Sequence, residues 1–330
     1  MIGAGYWGPN LIRNFSIASG AVVVAVADTE RKRRDFIQIR YPTVQPFADA
    51  REMIGHSDVD AVVISTPVES HFPLAQVALT AGKHVLLEKP MCASADQCDE
   101  LIKLAASRGL TLMVDHTFLY TGAVRKIREL VGKGELGDIL YFDSVRINLG
   151  LFQHDVNVIW DLAPHDVSIM DAVISAKATA VSAVGRAHYG TAVENVAYMT
   201  VLFDNGAIAH FHVNWLAPVK VRTTLIGGTK KMIVYDDTEP SEKVKVYDKG
   251  VVVTSDVEEV HRTLVQYRTG DMYAPRLDGT EALQLVAEEF VASVREKRPP
   301  LTDGQSGRRV VAVLEAANKS LVSGGQLVPL

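Results

Sequence analysis

Three groups of residues in this chain combine side chains suited to moving a proton. Lys89 stands in Glu88-Lys89-Pro90, directly after the apolar run His84-Val85-Leu86-Leu87. A lysine at the carboxyl end of a buried parallel strand, on a turn stiffened by proline, presents its ammonium where ligands of such sheets bind. The second group is Trp160-Asp161-Leu162-Ala163-Pro164-His165-Asp166. Asp161 and His165 are four apart, so on a helix they share a face, and the carboxylate can orient the imidazole and raise its basicity. Pro164 leaves an alternative in which the helix starts there and the two side chains meet only through the tertiary fold. The third group is the pair of dipeptides His154-Asp155 and His165-Asp166, which suggest metal ligation. No tight ligand set accompanies them, and no metal is expected. Taking a proton from a secondary hydroxyl needs a base and a cationic partner for the developing alkoxide, and Lys89, His165 and Asp161 are of those types.

The elements that must position these groups begin with Gly3-Ala4-Gly5-Tyr6-Trp7-Gly8. This G-x-G-x-x-G run gains meaning from its context. A helical stretch carrying Leu11, Ile12 and Phe15 follows, then a turn at Ser19-Gly20, then the strand-like run from Val22 to Ala27. In such a β-α-β unit the first glycine allows the tight turn, the second lets backbone amides approach a pyrophosphate, and the third lets helix pack on strand. The helix N-terminus then faces phosphate. Asp28 ends the second strand twenty residues beyond Gly8, where a carboxylate accepts from adenosine ribose hydroxyls. That spacing favours NAD over NADP. The basic run Arg31 to Arg34 reads as a solvated helix face or as a neighbour of cofactor phosphate. Only Met1 and Ile2 precede Gly3, so the first strand is truncated against the usual five residues or so. Either the true start lies upstream or the first few residues are missing.

Strand and helix continue to alternate through residues 59–64, 71–80, 84–87, 95–108 and 110–114, which predicts a doubly wound parallel sheet. Thr66, Pro67, Glu88, Lys89 and His116 all fall at carboxyl strand ends. The pattern changes near Tyr120. A helix over 123–132 leads into a strand over 139–148, and after the Trp160 to Asp166 segment strand-like alternation dominates from Val181 to Tyr247. The chain is thus expected to have an α/β Rossmann domain over 1–119. An α+β domain over 120–330 would follow, with a large, mainly antiparallel open sheet, and helices over 280–323 would pack back on the first domain. An open sheet with one face on its helices must cover the other, so a homodimer or homotetramer through that sheet is expected.

Composition excludes several classes. With 330 residues, 48% hydrophobic and 22% charged, the chain is globular and large enough for two domains. Its longest apolar run, Ala21 to Ala27, is far short of the roughly 18 residues of a membrane span, and no signal pattern precedes it, so a cytoplasmic location is expected. A net charge of -5 and a pI near 6.1 provide no basic field for nucleic acid. Cys92 and Cys98 match neither a zinc knuckle nor a disulfide framework and read as free thiols.

The order of glycine fingerprint, Thr66-Pro67, Glu88-Lys89-Pro90 and Asp161-x-x-x-His165 resembles the Gfo/Idh/MocA oxidoreductase family over nearly the whole chain. The wording of Gly5-Tyr6-Trp7-Gly8-Pro9-Asn10, Asp115-His116-Thr117-Phe118-Leu119-Tyr120 and Trp160 to Asp166 is similar to its sugar-nucleotide 3-dehydrogenases, which act on UDP-linked N-acetylated sugars or uronates. Glu281-Ala282 departs from the Glu-Pro frequent in that group. The resemblance implies Lys89 and His165 as the catalytic pair with Asp161 in support. It also implies cofactor contacts from Gly3, Gly5, Tyr6, Trp7, Gly8, Asp28, Thr66, Pro67, His71, Glu88 and Lys89. Substrate contacts are expected from His116, Tyr120, Arg146, Asn148, Trp160, Arg222 and Arg276. The cations for a diphosphate would come from Arg125, Arg146, Lys220, Arg222 and Arg276. His210, His212 and Asn214 share a strand face that lines the sugar site or, more simply, is a wetted or subunit-facing surface. The expected activity is oxidation at C3 of a nucleotide-linked sugar by NAD. The alternatives are a dehydrogenase of a free polyol, inositol or aldose, and a non-catalytic dinucleotide-binding regulator, against which the joint presence of Lys89, Asp161 and His165 argues.

Overall fold

A computed structural model of the chain describes residues 1–56, 58–150, 156–248, 250–252, 266–268 and 270–330. The chain divides into two compact units, Met1–Thr121 with Thr280–Glu315, and Gly122–Gly279 with Ala316–Leu330. Helices and strands in the first unit alternate as α1 Gly8–Ile17, β1 Ala25–Ala27, α2 Arg31–Arg40, β2 Gln45–Phe47, α3 Ala50–Ile54, β3 Ala61–Ile64, α4 His71–Thr80, β4 His84–Glu88, α5 Ala95–Ser107 and β5 Leu112–Asp115. All strand pairings among them are parallel. Val85, Leu86 and Leu87 are fully buried, as a strand covered on both faces must be. Helix α5 shows the local logic: the Ser94 side chain accepts from Gln97 N at 3.3 Å to cap it, and Cys98, Leu101 and Ala105 form its buried stripe. Both cysteines are buried free thiols.

Ile2 alone joins the two halves of this sheet. It bridges Ala27 on one side and Ile64 on the other, with Ile2 N donating to Val63 O at 2.8 Å and Gly3 N to Ala27 O at 2.9 Å. The order is therefore β2-β1-Ile2-β3-β4-β5. The strand expected over 22–27 is regular only from Ala25. Val22 to Val24, Met1, Val59 and Phe290 instead line a cavity of about 470 Å³.

The second unit contains α6 Gly122–Gly132, β6 Ile139–Leu149, α7 Val158–Val173, β7 Ala178–Arg186, β8 Val196–Phe203, β9 Ile208–Asn214, β10 Leu216–Gly228, β11 Met232–Asp236, β12 Val244–Tyr247, β13 Gly250–Val252, β14 Gln266–Arg268 and β15 Met272–Tyr273. After it come α8 Ala282–Glu296, which belongs to the first unit, and α9 Gly304–Val322, whose residues change unit after Glu315. Strand β16 Val328–Pro329 closes the chain. Nine strands form one sheet in the order β15-β12-β11-β10-β6-β9-β8-β7-β16, antiparallel except for β6 against β9. On β9 the residues Ala209, Phe211 and Val213 are buried while His210, His212 and Asn214 face the other way, the alternation expected of a sheet covered on one side. Helix α7 supplies the cover with Ile159, Ala163, Val167 and Met170.

One charged contact lies inside that layer. Arg146 on β6 grips Asp166 on α7 with two bonds of 2.6 and 2.8 Å, and both side chains are nearly inaccessible. Burying two charges is costly unless each satisfies the other, and the bidentate geometry does so. Replacing Asp166 by Asn strands the guanidinium in an apolar layer. Asp166→Asn is expected to cost about 3–5 kcal/mol in urea denaturation. The double change Arg146→Met with Asp166→Leu should cost less than Asp166→Asn alone.

Candidate active site

The glycine turn is fixed by crowding at two positions and open at the third. Gly3 has φ of 87°, and a Cβ there would lie 2.4 Å from Ser65 O. A Cβ on Gly8 would lie 2.4 Å from Gly3 O. On Gly5 it would meet nothing closer than the Arg33 guanidinium at 3.6 Å. Gly3 and Gly8 are thus required by the fold, whereas Gly5 keeps room above the turn. Helix α1 starts at Gly8 with Pro9 behind it, and no side chain caps its first amides. Pro9 has no amide hydrogen and Asn10 N donates to Trp7 O at 3.0 Å, so Gly8 N is the amide left at this end for an anion such as the pyrophosphate of a dinucleotide. Tyr6 and Trp7 are exposed on the same turn with their rings edge to face at 5.2 Å.

Asp28 sits where the sequence puts it, at the end of β1, and is nearly buried. Its Oδ2 accepts from Ala4 N and its Oδ1 from Glu30 N, both at 2.8 Å, which ties the acid to the glycine turn. Arg33 lies beside it, 3.7 Å from Oδ2 and 2.8 Å from Glu30. Arg34 donates to the Asp28 carbonyl at 2.6 Å. The basic run is therefore partly wrapped around Asp28 as well as exposed to solvent.

Strands β3, β4 and β5 end together. Thr66 and Pro67 follow β3, and His71 opens α4. The buried His71 ring lies 2.8 Å from Thr66 O and 2.9 Å from Pro90 O, bracing the loop after β3 against the loop after β4. Both partners are carbonyls, and burial holds the ring below its ordinary pKa, so the neutral imidazole donates to one of them at a time. This histidine, expected from sequence to contact the cofactor, shapes the loops on which Thr66 and Lys89 sit. Glu88 and Asp115 are register partners on β4 and β5. Glu88 Oε2 accepts from Lys89 N at 3.0 Å, and Asp115 Oδ1 from Thr117 Oγ1 at 2.8 Å. Burial, and then the neighbouring Asp115 charge, push the Glu88 carboxyl up to about 8. Burial pushes Asp115 up to about 6 and the His116 imidazole down to about 3. The Lys89 charge acts on all four of these groups. Both ring nitrogens of His116 are buried without a hydrogen-bond partner among the described residues. The buried Tyr120 hydroxyl, expected to face substrate, lies 3.0 Å from Thr302 Oγ1.

In the second unit α7 runs unbroken from Val158 to Val173 with Pro164 inside it, so Asp161 and His165 do share a helical face. The helix starts earlier than Pro164 because Asn157 caps it, accepting from Trp160 N at 3.2 Å while its own amide donates to Asn318 at 2.9 Å. Asp161 Oδ2 accepts from Trp215 Nε1 at 2.9 Å. Trp160 is buried, and its indole nitrogen has no partner among the described residues. Asn157 and Trp215 escaped the sequence reading. An asparagine three residues before Trp160 is a legible cap, whereas nothing in the sequence pairs Trp215 with Asp161.

Of the cations expected to meet a diphosphate, Arg146 is committed to Asp166 and Arg222 lies 3.1 Å from Asp237. The two arginines are register partners across β6 and β10, each with its own carboxylate. Arg125 pairs with Asp278 at 2.7 Å, and the exposed Arg276 lines a hollow with Arg125 and Lys126. Lys220 is exposed and Asn148 half-buried. His210 and His212 stack on Tyr198 of β8, with the His212 ring 4.5 Å away, on the face of the sheet opposite α7. His154 and Asp155 lie outside the described residues, and among the described residues no three His, Cys, Asp or Glu side chains form a metal-holding group. No helix among them is long and apolar enough to cross a membrane.

A glycine turn that leaves room above Gly5, a carboxylate fixed at the end of β1 and a lysine at the end of β4 define a nicotinamide-dinucleotide-binding unit of the dehydrogenase class. Residues 1–116 match the oxidoreductase family with an NAD-binding Rossmann fold, and residues 124–234 match the GFO/IDH/MocA C-terminal domain. The chain belongs to the Gfo/Idh/MocA family of NAD(P)-dependent oxidoreductases. It is 27% identical to the UDP-N-acetylglucosamine 3-dehydrogenase of Acidithiobacillus ferrooxidans over 94% of this chain and 93% of that one. The 1,5-anhydro-D-fructose reductase of Ensifer adhaerens is 29% identical over 59% of this chain and 62% of its own length. A solved structure of the Acidithiobacillus enzyme shares the fold, with a TM-score of 0.83 at 24% identity, covering 98% of this chain and 96% of that one. An oxidoreductase from Agrobacterium radiobacter, solved with NAD+, L-tartaric acid and magnesium, has a TM-score of 0.82 at 17% identity over 99% and 96% of the chains.

The three glycines respond differently to one methyl group. Gly5→Ala should change folding stability by no more than about 0.5 kcal/mol, since the added carbon meets only a flexible arginine, yet weaken dinucleotide binding by roughly tenfold or more. Gly3→Ala should lower both. Thermal melting beside calorimetric titration of the dinucleotide separates the two outcomes.

Proposed function

We propose that this chain uses NAD to oxidise a secondary hydroxyl, at C3, of a nucleotide-linked sugar such as a UDP-N-acetylhexosamine or its uronate. The observation that carries the reading is the unbroken helix α7, which puts Asp161 and His165 on one face, together with Lys89 at the carboxyl end of β4. Lys89 and His165 are the proton-handling groups, and Asp161, held by Trp215, supports His165. The near full-length similarity to a UDP-N-acetylglucosamine 3-dehydrogenase supports the choice of substrate class. A bound dinucleotide would supply the hydride acceptor, and the chain's part is to fix the hydroxyl and move its proton. Thr66 and Pro67 after β3, with Glu88, are the strand-end groups proposed to border the cofactor, and His116 and Trp160, with buried nitrogens lacking partners, to meet substrate.

Asp28 favours NAD, because a buried carboxylate at this position accepts from ribose hydroxyls and repels a 2′-phosphate. Arg33 works in the opposite direction, as a guanidinium beside the same acid. The open sheet face, where Val184, Tyr198 and His212 are neighbours across three strands, is proposed as the contact between subunits.

One observation favours a second reading, a free polyol or aldose as substrate. Arg146, Arg222 and Arg125 are already balanced by Asp166, Asp237 and Asp278, which leaves Arg276 and Lys220 of the expected cations to meet any diphosphate.

Nicotinamide absorbance with NAD and a panel of UDP-sugars, polyols and aldoses tests both readings. Turnover with a UDP-N-acetyl sugar or uronate is expected, and turnover with free sugars alone would overturn the first reading in favour of the second. Lys89→Ala should lower kcat by roughly 10²- to 10⁴-fold, and an unchanged rate would remove Lys89 from the site. Asp28→Ala should weaken NAD binding by roughly tenfold, the weight of a charge-assisted hydrogen bond, while Arg33→Ala should weaken NADP more than NAD.

A further inference from the structure

We propose that Glu88 and Asp115 form an electrostatically coupled carboxyl pair that retains one proton and so carries one negative charge, not two, beside the Lys89 ammonium. The argument starts from register. Glu88 and Asp115 are the last residues of β4 and β5 and are direct partners across the parallel pair, so their side chains leave the same face of the sheet from neighbouring strands about 4.8 Å apart. Asp115 is 1% exposed, and its Oδ2 is buried with no hydrogen-bond partner among the described residues. Two ionised carboxylates at that spacing, one with a bare oxygen, would repel in a poorly solvated site, and retaining a proton relieves both costs.

The surrounding groups leave Lys89 as the balancing cation. Around the pair are Lys89, His116, the Tyr120 hydroxyl, which feels the Asp115 charge and is itself held neutral by burial, the Thr117 hydroxyl and, on the far side of Lys89, His71. His116 and His71 are buried, and burial disfavours their charged forms. Thr117 is neutral and already donates to Asp115 Oδ1. Glu88 turns back on the backbone, accepting from Lys89 N, so the carboxylate and the lysine are held on the same short turn. The retained proton rests mainly on Glu88, whose carboxyl is pushed up to about 8, while Asp115, at about 6, carries the charge near neutral pH. Burial is the first cause of the Glu88 shift and the Asp115 charge the second, so neutralising Asp115 lowers the Glu88 midpoint without returning it to the ordinary carboxylate range. Glu88 and Asp115 are thus positioning residues beside Lys89. This extends the reading of Lys89 as a proton-handling group, but the pair itself is testable without turnover.

The test is a carboxyl ¹³C NMR titration of the full-length protein labelled at Asp and Glu, with Glu88→Gln and Asp115→Asn to assign the signals. One carboxyl should titrate near the upper value above and vanish in Glu88→Gln. In Asp115→Asn that midpoint should fall by about one pH unit or more. A Glu88 midpoint in the ordinary carboxylate range in the parent protein would overturn the proposal without any variant, as would a midpoint unmoved by Asp115→Asn. The expected titration combined with undiminished turnover of Lys89→Ala would uphold the pair and reject the catalytic role of the lysine.

Discussion

Parallel strands that end in register are the constraint on which the first unit's chemistry depends. β3, β4 and β5 are paired residue by residue from Ala61, His84 and Leu112 onward, so the chain leaves the sheet at one edge three times in succession. That edge collects Thr66, Glu88, Lys89, Asp115 and His116 from segments about fifty residues apart in sequence. Because the strands are buried on both faces, Asp115 is buried and Glu88 half-buried at their ends, and desolvation is the first cause of both carboxyl shifts. The same stacking of strand ends gives His71 its place between two loops. Geometry set by backbone pairing thus becomes electrostatics at the site.

A different constraint rules the second unit. Its sheet is covered on one side by α7, and α7 also carries the candidate acid–base pair. The helix turns one set of residues to the core and another away from it. Asp166 is drawn in to meet Arg146, while Asp161, five residues earlier, reaches the Trp215 indole. The buried ion pair therefore helps decide which way the helix is rotated on the sheet, since sliding it by one residue would break the bidentate contact between two nearly inaccessible charges. Such a pair adds little net stability over a well-packed apolar contact, but it penalises the wrong register strongly. The face of α7 that carries Asp161 and His165 inherits its direction from a contact on another face of the helix.

The sequence by itself determined the order of elements and the residue types at strand ends. Hydrophobic runs of period two and stripes of period 3.6 are local properties, so the glycine turn, the strand ends at Thr66 and Lys89, and the change of pattern near Tyr120 were legible without coordinates. Asp28 was legible for the same reason, as a carboxylate at a fixed distance from a fixed turn. Only the tertiary structure decided which charges are spent. Arg146 and Arg222 look like any other surface cations in sequence, yet strand pairing and helix packing give each a carboxylate from 20 and 15 residues away. Tyr120 meets Thr302 across 182 residues, and Trp215 meets Asp161 across 54. The continuity of α7 through Pro164 was open in the sequence as well, because a proline can begin a helix or be carried inside one, and packing against the sheet chose the second. Pattern records what a residue's neighbours in the chain require. Partners at long range are set by how strands register and helices rotate, and no local pattern contains that information.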